Sequence, residues 1–157
     1  MRLSVLIYLP LVLLAAIAAP AQTSTAPIIA EPAVLTQGYY RSQPQASWLP
    51  GADAPLSDGP VSTMYLRFYA DGRVIGVSST GTPEQIVAWF DYSNDSLPRG
   101  EYRVEGDRLI FSTDSEFGSV DYEGRIDGGT LHLKSHSHIN GRDNTHTLRY
   151  VPMPALP

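Results

Sequence analysis

Four histidines fall within residues 132–146, and they are the side chains whose type and spacing could do chemistry. On a β-strand, residues two apart share one face at a spacing of about 6.5–7 Å. His136 and His138 have this sequence spacing. Their imidazoles could bind one Zn²⁺ ion through bonds of about 2.0–2.1 Å, and a turn at Asn140–Gly141 would place Asp143 opposite His138 as a third ligand.

A metal site on this strand would need further groups. No fourth ligand follows from the spacing, and no outer residue that would orient the imidazoles can be identified. His132, His136 and His138 alternate with Leu131 and Leu133, so their face is solvated if the leucines point inward. We therefore interpret these histidines as part of an exposed polar strand face and predict no metal ion and no cofactor.

Ser135 and His146 form a second candidate pair. The predicted register sets them opposite each other on the inner face, with Ser137 opposite Asn144. Serine beside histidine is typical of a hydrolase, but the chain has no G-x-S-x-G motif, and no oxyanion donors or orienting acid can be named. We therefore predict that the protein is not an enzyme. A solvated polar end above an apolar floor is the structural interpretation, and it would also suit a small ligand.

Short apolar–polar alternations separated by turn residues predict the strands that hold these side chains. Turn signals occur at four places, namely Asp71–Gly72, Glu105–Gly106–Asp107, Asp127–Gly128 and Asn140–Gly141. A two-residue turn at each place would give these inward-facing partners: Phe68 with Ile75, Leu66 with Val77, Tyr102 and Val104 with Leu109 and Phe111, Tyr122 with Leu133, Gly124 with Leu131, Leu133 with Leu148, and Leu131 with Tyr150. A three-residue turn at the second place stays open and would select Ile110 instead. The third and fourth turns independently orient Leu131 and Leu133 inward.

One helix is predicted among the strands. Thr82–Pro83–Glu84–Gln85 combines an N-cap threonine, a proline at the first helical position and a glutamine three residues after the cap, and the helix should end near Asp91. With a further strand at Gly38–Tyr40, eight antiparallel strands follow one another, and the helix comes after the third. This order predicts an all-β, up-and-down, eight-stranded barrel over residues 38–151, which leaves no sheet edge. An open meander or a two-sheet sandwich is the alternative.

The N-terminus predicts export. Arg2 precedes an almost wholly apolar run, and Ala19–Pro20–Ala21 supplies the small residues of a cleavage site, so residues 1–21 are typical of a signal peptide. A transmembrane anchor is the alternative, but Pro10 and the short apolar run disfavour it. The mature protein should be periplasmic or secreted, with no membrane anchor after cleavage. Residues 22–37 predict a flexible linker and residues 152–157 a tail.

Composition excludes several classes of function. The 157-residue chain has no cysteine, which excludes disulfides, thiolate metal sites and a lipid-modified cysteine. Its formal net charge is −5 and its sequence pI is near 5.2. A chain of this charge is not expected to bind nucleic acid, because such proteins present basic surfaces to the phosphates.

Four motifs of the predicted barrel resemble lipocalin-like domains of exported bacterial proteins, within the wider calycin group. They are Gly38–Tyr39–Tyr40, which is similar to the G-x-W start of lipocalins with Tyr in the third place, the hairpin over residues 66–74, the run Gly100–Val104, and the hairpin at Asn140–Gly141. The resemblance covers nearly all of residues 38–151. It implies a barrel, and several such domains have no assigned function.

The inner face is predicted to be rich in aromatic rings, contributed by Tyr40, Phe68, Tyr102, Phe111, Tyr122 and Tyr150. Rings of about 150–250 Å² each would fill much of an eight-stranded barrel and leave a small cavity. We therefore expect an exported, non-enzymatic barrel that binds a small apolar or amphipathic molecule. Its ligand-binding residues would be inward side chains, namely Tyr40, Tyr102, Tyr122, Ser135, Ser137, His146 and Tyr150.

The alternative function is a protein-interaction module of the cell envelope. Its surface would be the outer strand face of Tyr65, Arg67 and Tyr69, since exposed aromatic side chains beside arginine are typical of binding surfaces. The Pro- and Gly-rich loop over residues 43–60 would extend that surface.

Overall fold

The computed structural model describes residues 33–46 and 60–153. The predicted signal peptide, most of the predicted linker and loop, and the end of the predicted tail lie outside these ranges. The elements, in chain order, are β1 (Gly38–Ser42), β2 (Gln45–Ala46), β3 (Val61–Phe68), β4 (Arg73–Ser79), α1 (Pro83–Val87), β5 (Arg99–Glu105), β6 (Arg108–Ser115), β7 (Gly118–Asp127), β8 (Thr130–Ser137) and β9 (Asp143–Pro152).

Eight of these strands form a closed antiparallel barrel. From β3 to β9 each strand pairs with the next in sequence, and β1 closes the sheet by pairing with both β9 and β3. The two-residue strand β2 pairs with β3 and is an addition to the barrel. The predicted fold class is therefore confirmed, including a short helix after the third barrel strand.

The predicted register of the hairpin between β3 and β4 is wrong by one residue. Phe68 lies opposite Val74, not Ile75, and Leu66 lies opposite Gly76, not Val77. The turn has three residues: the Tyr69 N–H donates to the Arg73 carbonyl (2.9 Å), and Gly72 has a φ of 90°, as in a turn that ends in a glycine bulge. Because side chains alternate along a strand, this slip turns Ile75 and Val77 to the outside of the barrel.

Two further hairpins differ from the prediction by two residues. The β7–β8 turn lies at residues 128–129, so Tyr122 pairs with Ser135 and Gly124 with Leu133. The longer β8–β9 connection pairs Leu131 with Leu148, and Leu133 with His146. A slip of two keeps every side chain on its face, so Leu131 and Leu133 do point inward. The two-residue turn between β5 and β6 is confirmed, with Tyr102 opposite Phe111 and Val104 opposite Leu109.

The helix α1 starts as predicted and ends early. Gln85 reaches back so that its side-chain oxygen accepts a hydrogen bond from the Thr82 N–H (2.9 Å), which is half of a capping box. The helix ends at Val87 rather than near Asp91. Its single turn gains little from helix propensity alone, and Ile86 and Phe90 hold the segment by packing on the barrel.

The molecule has one core inside the barrel and a second outside it. The inner core contains the six predicted aromatic rings and the leucines of β6, β8 and β9. The outer core lies between the barrel wall and the helix segment, and Tyr39, Tyr65, Ile75, Ile86 and Phe90 form it. Burial of large apolar side chains on both faces explains why β3 and β4 do not show a simple alternation.

The outer core overturns the predicted exposure of the aromatic strand face. Tyr65 is only 2% exposed, and Arg67 and Tyr69 are half-buried. Both donate hydrogen bonds to the Phe90 carbonyl, at 3.0 Å and 2.9 Å. These side chains attach the helix segment to the barrel, so this face is not a free interaction surface.

The barrel end at the β3–β4, β5–β6 and β7–β8 turns, here called the floor, is covered by the chain that precedes β1. Val34 packs in the inner core, and the Leu35 N–H donates to the Tyr40 hydroxyl at 2.9 Å. The C-terminal side also belongs to the fold, because the Met153 N–H donates to the Gln37 carbonyl at 3.2 Å. The last residues of the predicted linker and the first of the predicted tail are thus parts of the domain.

Gly124 lets β7 and β8 approach closely, which gives a direct test of the barrel geometry. A Cβ at Gly124 would overlap the carbonyl oxygen of His132, whereas a Cβ at Gly129 in the adjacent turn would lie 3.7 Å from the Tyr150 Cβ. We expect Gly124→Ala to lower the free energy of unfolding by about 1–3 kcal/mol, because the strands must move apart. Urea denaturation measures this change.

Gly129→Ala is the matched control, since it adds the same methyl group where there is room. We expect it to leave the urea midpoint nearly unchanged. Equal stability of the two variants would contradict the close strand approach.

Candidate functional site

The barrel end opposite the floor, here called the mouth, has a polar inner wall. The inward-facing residues there, at the ends of β4, β6, β7, β8 and β9, are Ser78, Thr113, Tyr122, Ser135 and His146. The change from an apolar floor to a polar mouth is visible within β8, where Leu131 and Leu133 are followed on the same face by Ser135 and Ser137.

The pair of Ser135 and His146 is the centre of this wall. The Ser135 hydroxyl and the His146 Nε2 atom are 2.8 Å apart, although the two residues are not direct cross-strand partners, because Ser135 lies opposite Asn144. Ser135 is only 6% exposed. Burial lowers the pKa of the His146 imidazole below its ordinary value, since removal from water disfavours the charged form. His146 is therefore neutral at neutral pH.

Tyr122 stands beside this pair, also on the inner face. Its ring stacks on Phe111 with the centroids 4.5 Å apart, and it lies 6.3 Å from the His146 ring. Burial raises the pKa of the Tyr122 hydroxyl, and a hydrogen bond with the Thr113 side chain offsets part of this effect. The mouth thus presents several hydroxyl groups and one neutral imidazole, all of which can donate or accept hydrogen bonds.

The predicted ligand-binding tyrosines divide between the two ends of the barrel. Tyr40 is fully buried, with its ring edge against Phe68 and Tyr150 at 5.7 Å and 5.3 Å. The Tyr102 hydroxyl donates to the Tyr69 carbonyl at 2.9 Å. Tyr40, Tyr102 and Tyr150 therefore belong to the packed floor. The structure brings Tyr122, Ser135 and His146 together at the mouth, and Ser137 lies at its rim.

A cleft in the barrel wall leads to the mouth. The ladder between β4 and β5 covers only Arg73–Ile75 and Arg99–Glu101, and the Gly76 N–H donates instead to the Pro98 carbonyl at 3.0 Å. Beyond this point β4 continues to Ser79 without a partner on β5, because β5 begins at Arg99. A cleft of about 390 Å³ lies there, and among its lining residues are Met64, Ser78, Leu97, Thr113, Tyr122 and Ile139. It joins the apolar outer surface to the polar inner wall.

Two exposed apolar side chains lie in the turns at this end of the barrel, and one of them, Ile139, lines the cleft. Phe117 is 75% exposed and Ile139 is 50% exposed, and a Cβ placed on Gly118 would lie 3.1 Å from Ile139 Cγ1. Neither residue was predicted from the sequence to belong to a site. The signal was present, since each is a large apolar side chain inside a polar turn, where burial is not expected.

Among the residues that the structure describes, no carboxylate contacts His146 as the third member of a catalytic triad would. Within the described ranges, the histidines that contact carboxylates are His136 and His138, and His146 is not one of them. A hydrolase would need an acid to orient the imidazole and donors for an oxyanion. The pair itself is one hydrogen bond between a hydroxyl and an imidazole.

The histidine face of β8 is exposed, as its alternation with leucine indicates. Asp143 lies opposite His136 rather than opposite His138, because the β8–β9 connection is longer than two residues. Across the described ranges, no group of three or more His, Asp or Glu side chains is placed to share a metal ion.

No protein family, curated protein or solved structure matches this chain. Neither described range contains a helix of sufficient length and apolarity to cross a bilayer.

The buried imidazole predicts a pH dependence of stability. The pKa of His146 is lower in the folded protein than in the unfolded chain, where it is about 6.5, so the unfolded state binds the proton more readily. Stability should therefore fall as the pH decreases below about 6.5. In His146→Gln, the free energy of unfolding should decrease less between about pH 7.5 and pH 5, as measured by urea denaturation.

His132→Gln is the control, because His132 lies on the same sheet but is exposed. We expect it to keep the pH dependence of the original protein. The assignment to His146 is contradicted if both variants change with pH to the same extent.

Proposed function

We propose that the protein is an exported, non-enzymatic barrel that binds a small amphipathic molecule at its mouth. The observation that carries the proposal is the set of hydrogen-bonding groups formed by Tyr122, Ser135 and His146 on the inner wall, where Tyr122 also lines the cleft. Ligand pockets commonly combine apolar walls with a few converging polar groups. The predicted lipocalin-like character of the domain agrees with this function and stays a prediction.

The chemistry of the lining defines the class of ligand. The inner wall offers neutral donors and acceptors, while Met64, Leu97 and Ile139 line the cleft with apolar surface. A suitable ligand would have one uncharged or weakly polar group and a short apolar body. Its polar group would form hydrogen bonds with Ser135 and His146, and its apolar body would lie along the cleft. A strongly charged group is disfavoured, because the burial that keeps His146 neutral also penalises other charges.

The floor limits the depth of the site. Phe68 packs edge-on against Tyr102 and Phe111, with ring centroids at 5.0 Å and 5.4 Å. We infer that this packing holds Tyr40, Tyr102 and Tyr150 in the floor and that the ligand would contact Tyr122, Ser135 and His146. The proposed ligand is therefore shallowly bound and small, and it differs from a molecule that fills a hollow barrel.

Export is part of the proposal, and it rests on the N-terminal sequence. A basic start, an apolar run and Ala19–Pro20–Ala21 support a cleaved signal peptide. We expect the protein produced with its own N-terminus in a bacterial host to be recovered from the periplasm or medium with residues 1–21 removed. Intact-mass measurement checks the cleavage point, and a cell-associated protein that keeps Met1–Ala21 would contradict export.

Blocking the mouth should abolish ligand binding. Ser78 faces inward, lies opposite Met64 and borders the mouth and the cleft. We expect Ser78→Trp to fill this space and to weaken binding of N-phenyl-1-naphthylamine, an uncharged fluorescent probe with one N–H group and an apolar body, by about tenfold or more. Fluorescence titration measures the affinity, and native mass spectrometry of the gently purified protein shows whether a cellular molecule is bound.

Thr147→Trp is the matched control, since it adds an indole to the exposed outer face of β9. It should leave probe affinity unchanged. Two findings together would contradict the proposal. The first is equal probe affinity in the original protein, Ser78→Trp and Thr147→Trp, and the second is a native mass equal to that of the polypeptide without a bound molecule.

A second candidate function is binding of a protein in the cell envelope. The observation that favours it is the exposure of Phe117 and Ile139 at the tips of neighbouring turns, since exposed large apolar groups are typical of interaction sites. The aromatic strand face is buried and no longer supports this function. A Phe117→Ser variant that keeps probe affinity but loses a cross-linked envelope partner would favour the second candidate.

A further inference from the structure

The outer face of β8 holds a pair of histidines with an arrangement that the proposed ligand site does not use. His136 and His138 lie two residues apart on this face, and their ring centroids are 4.9 Å apart with the planes at 79°. Both side chains are about half exposed, at 47% and 49%. The pair is therefore accessible from solvent and separate from the mouth, which lies on the inner face.

Each histidine is held by a carboxylate from a neighbouring strand. The Nδ1 atom of His136 lies 2.8 Å from Asp143 Oδ1 on β9, and the Nε2 atom of His138 lies 2.7 Å from Asp121 Oδ2 on β7. Asp121 is itself fixed, because it also accepts a hydrogen bond from the Ser112 hydroxyl. The hydrogen bond from His138, followed by that from Ser112, lowers the pKa of the Asp121 carboxyl.

These contacts determine which ring nitrogens are free. An ionised carboxylate only accepts hydrogen bonds, so the bonded nitrogen of each imidazole must carry the proton. In the neutral rings this leaves a lone pair on Nε2 of His136 and on Nδ1 of His138. A metal-binding histidine commonly donates its other N–H to a carboxylate, which fixes the tautomer and makes the free nitrogen a stronger ligand.

We propose that His136 and His138 bind one transition-metal cation of the Zn²⁺ or Cu²⁺ class, with Asp143 and Asp121 as outer hydrogen-bond partners and water as the remaining ligands. Imidazole nitrogens favour these ions over Mg²⁺ and Ca²⁺, which prefer oxygen. Two bonds of about 2.0–2.1 Å require the two nitrogens to lie within about 4 Å of each other. Side chains that are half exposed and already in contact can reach this separation by rotation.

The charged side chains around the histidine pair are compatible with binding of a cation. Asp121 and Asp143 lie opposite His136 on the two adjacent strands. Lys134, the nearest basic residue on the same face of β8, lies opposite Glu123. Only two protein side chains ligate the ion, which agrees with the finding that no three such groups are arranged to share a metal within the described residues.

Calorimetric titration of the untagged full chain with ZnCl₂ tests this site. We expect one ion per chain, and we expect binding to be lost in both His136→Gln and His138→Gln. Asp143→Asn and Asp121→Asn should each weaken the affinity by about 10–100-fold, as loss of an outer partner does in other metal sites. His132→Gln, on the same face of β8 but outside the pair, should bind as the original protein does.

The competing outcomes are distinct. No heat of binding, or equal binding of Mg²⁺, would overturn the transition-metal site. Unchanged Zn²⁺ binding in the two glutamine variants at 136 and 138, or its loss in His132→Gln, would place the ion elsewhere. Unchanged affinity in both asparagine variants would remove the role of the carboxylates. A rise in the melting temperature with Zn²⁺ that disappears in His136→Gln would be the expected confirmation by mass action.

Discussion

The pairing of β1 with both β9 and β3 is the constraint on which the rest of the structure depends. β1 pairs with β9 from Gly38 to Ser42, and Tyr40 also lies opposite Leu66 of β3. Without β1 the sheet would have two long edges with unpaired backbone groups. Closure divides the residues into an inside and an outside, and the division is visible within β1 itself. Tyr40 packs in the inner core, while its neighbour Tyr39 packs beneath the helix segment.

The proposed ligand site and the proposed metal site both depend on this division, and β8 contributes residues to each. The inward residues of β8 change from leucine to serine toward the mouth, so the same strand forms the apolar floor and the polar wall. Its outward residues carry the histidines that face Asp121 and Asp143. The barrel wall separates the two chemistries. The inner imidazole of His146 loses its charge because it is buried, and the outer imidazoles are oriented by ionised groups in solvent.

The turn signals, the alternation and the helix cap were sufficient to predict the closed barrel and the faces of β6 to β9. They did not predict which residues of β4 face inward, because Val74 and Ile75 are both apolar and the alternation is the same whichever of them faces the inner core. The turn has one residue more than predicted, and Gly72 in it has a positive φ. Because this residue shifts the register by one, Ile75 lies in the outer core. Of the site, Tyr122, Ser135 and His146 could be predicted. That Tyr40 lies away from these three residues could not be predicted, because the sequence does not show which rings pack in the floor. The contacts of His136 and His138 with carboxylates could not be predicted either, because they depend on the observed strand registers.

The short ladder between β4 and β5 has a consequence for the internal motion of the molecule. β6 and β7 pair over eight registered positions, but β4 and β5 pair over three. Local opening of a protein begins where few backbone hydrogen bonds and few packed groups must separate. The β4–β5 ladder is therefore a short seam in the barrel wall, as is the β1–β3 ladder with two registered positions. Amide protons along these seams should exchange at a lower free-energy cost than those of the β6–β7 ladder. The cleft continues the β4–β5 seam toward Ser78, so opening there would enlarge the cleft while the longer β1–β9 ladder keeps β1 in the sheet.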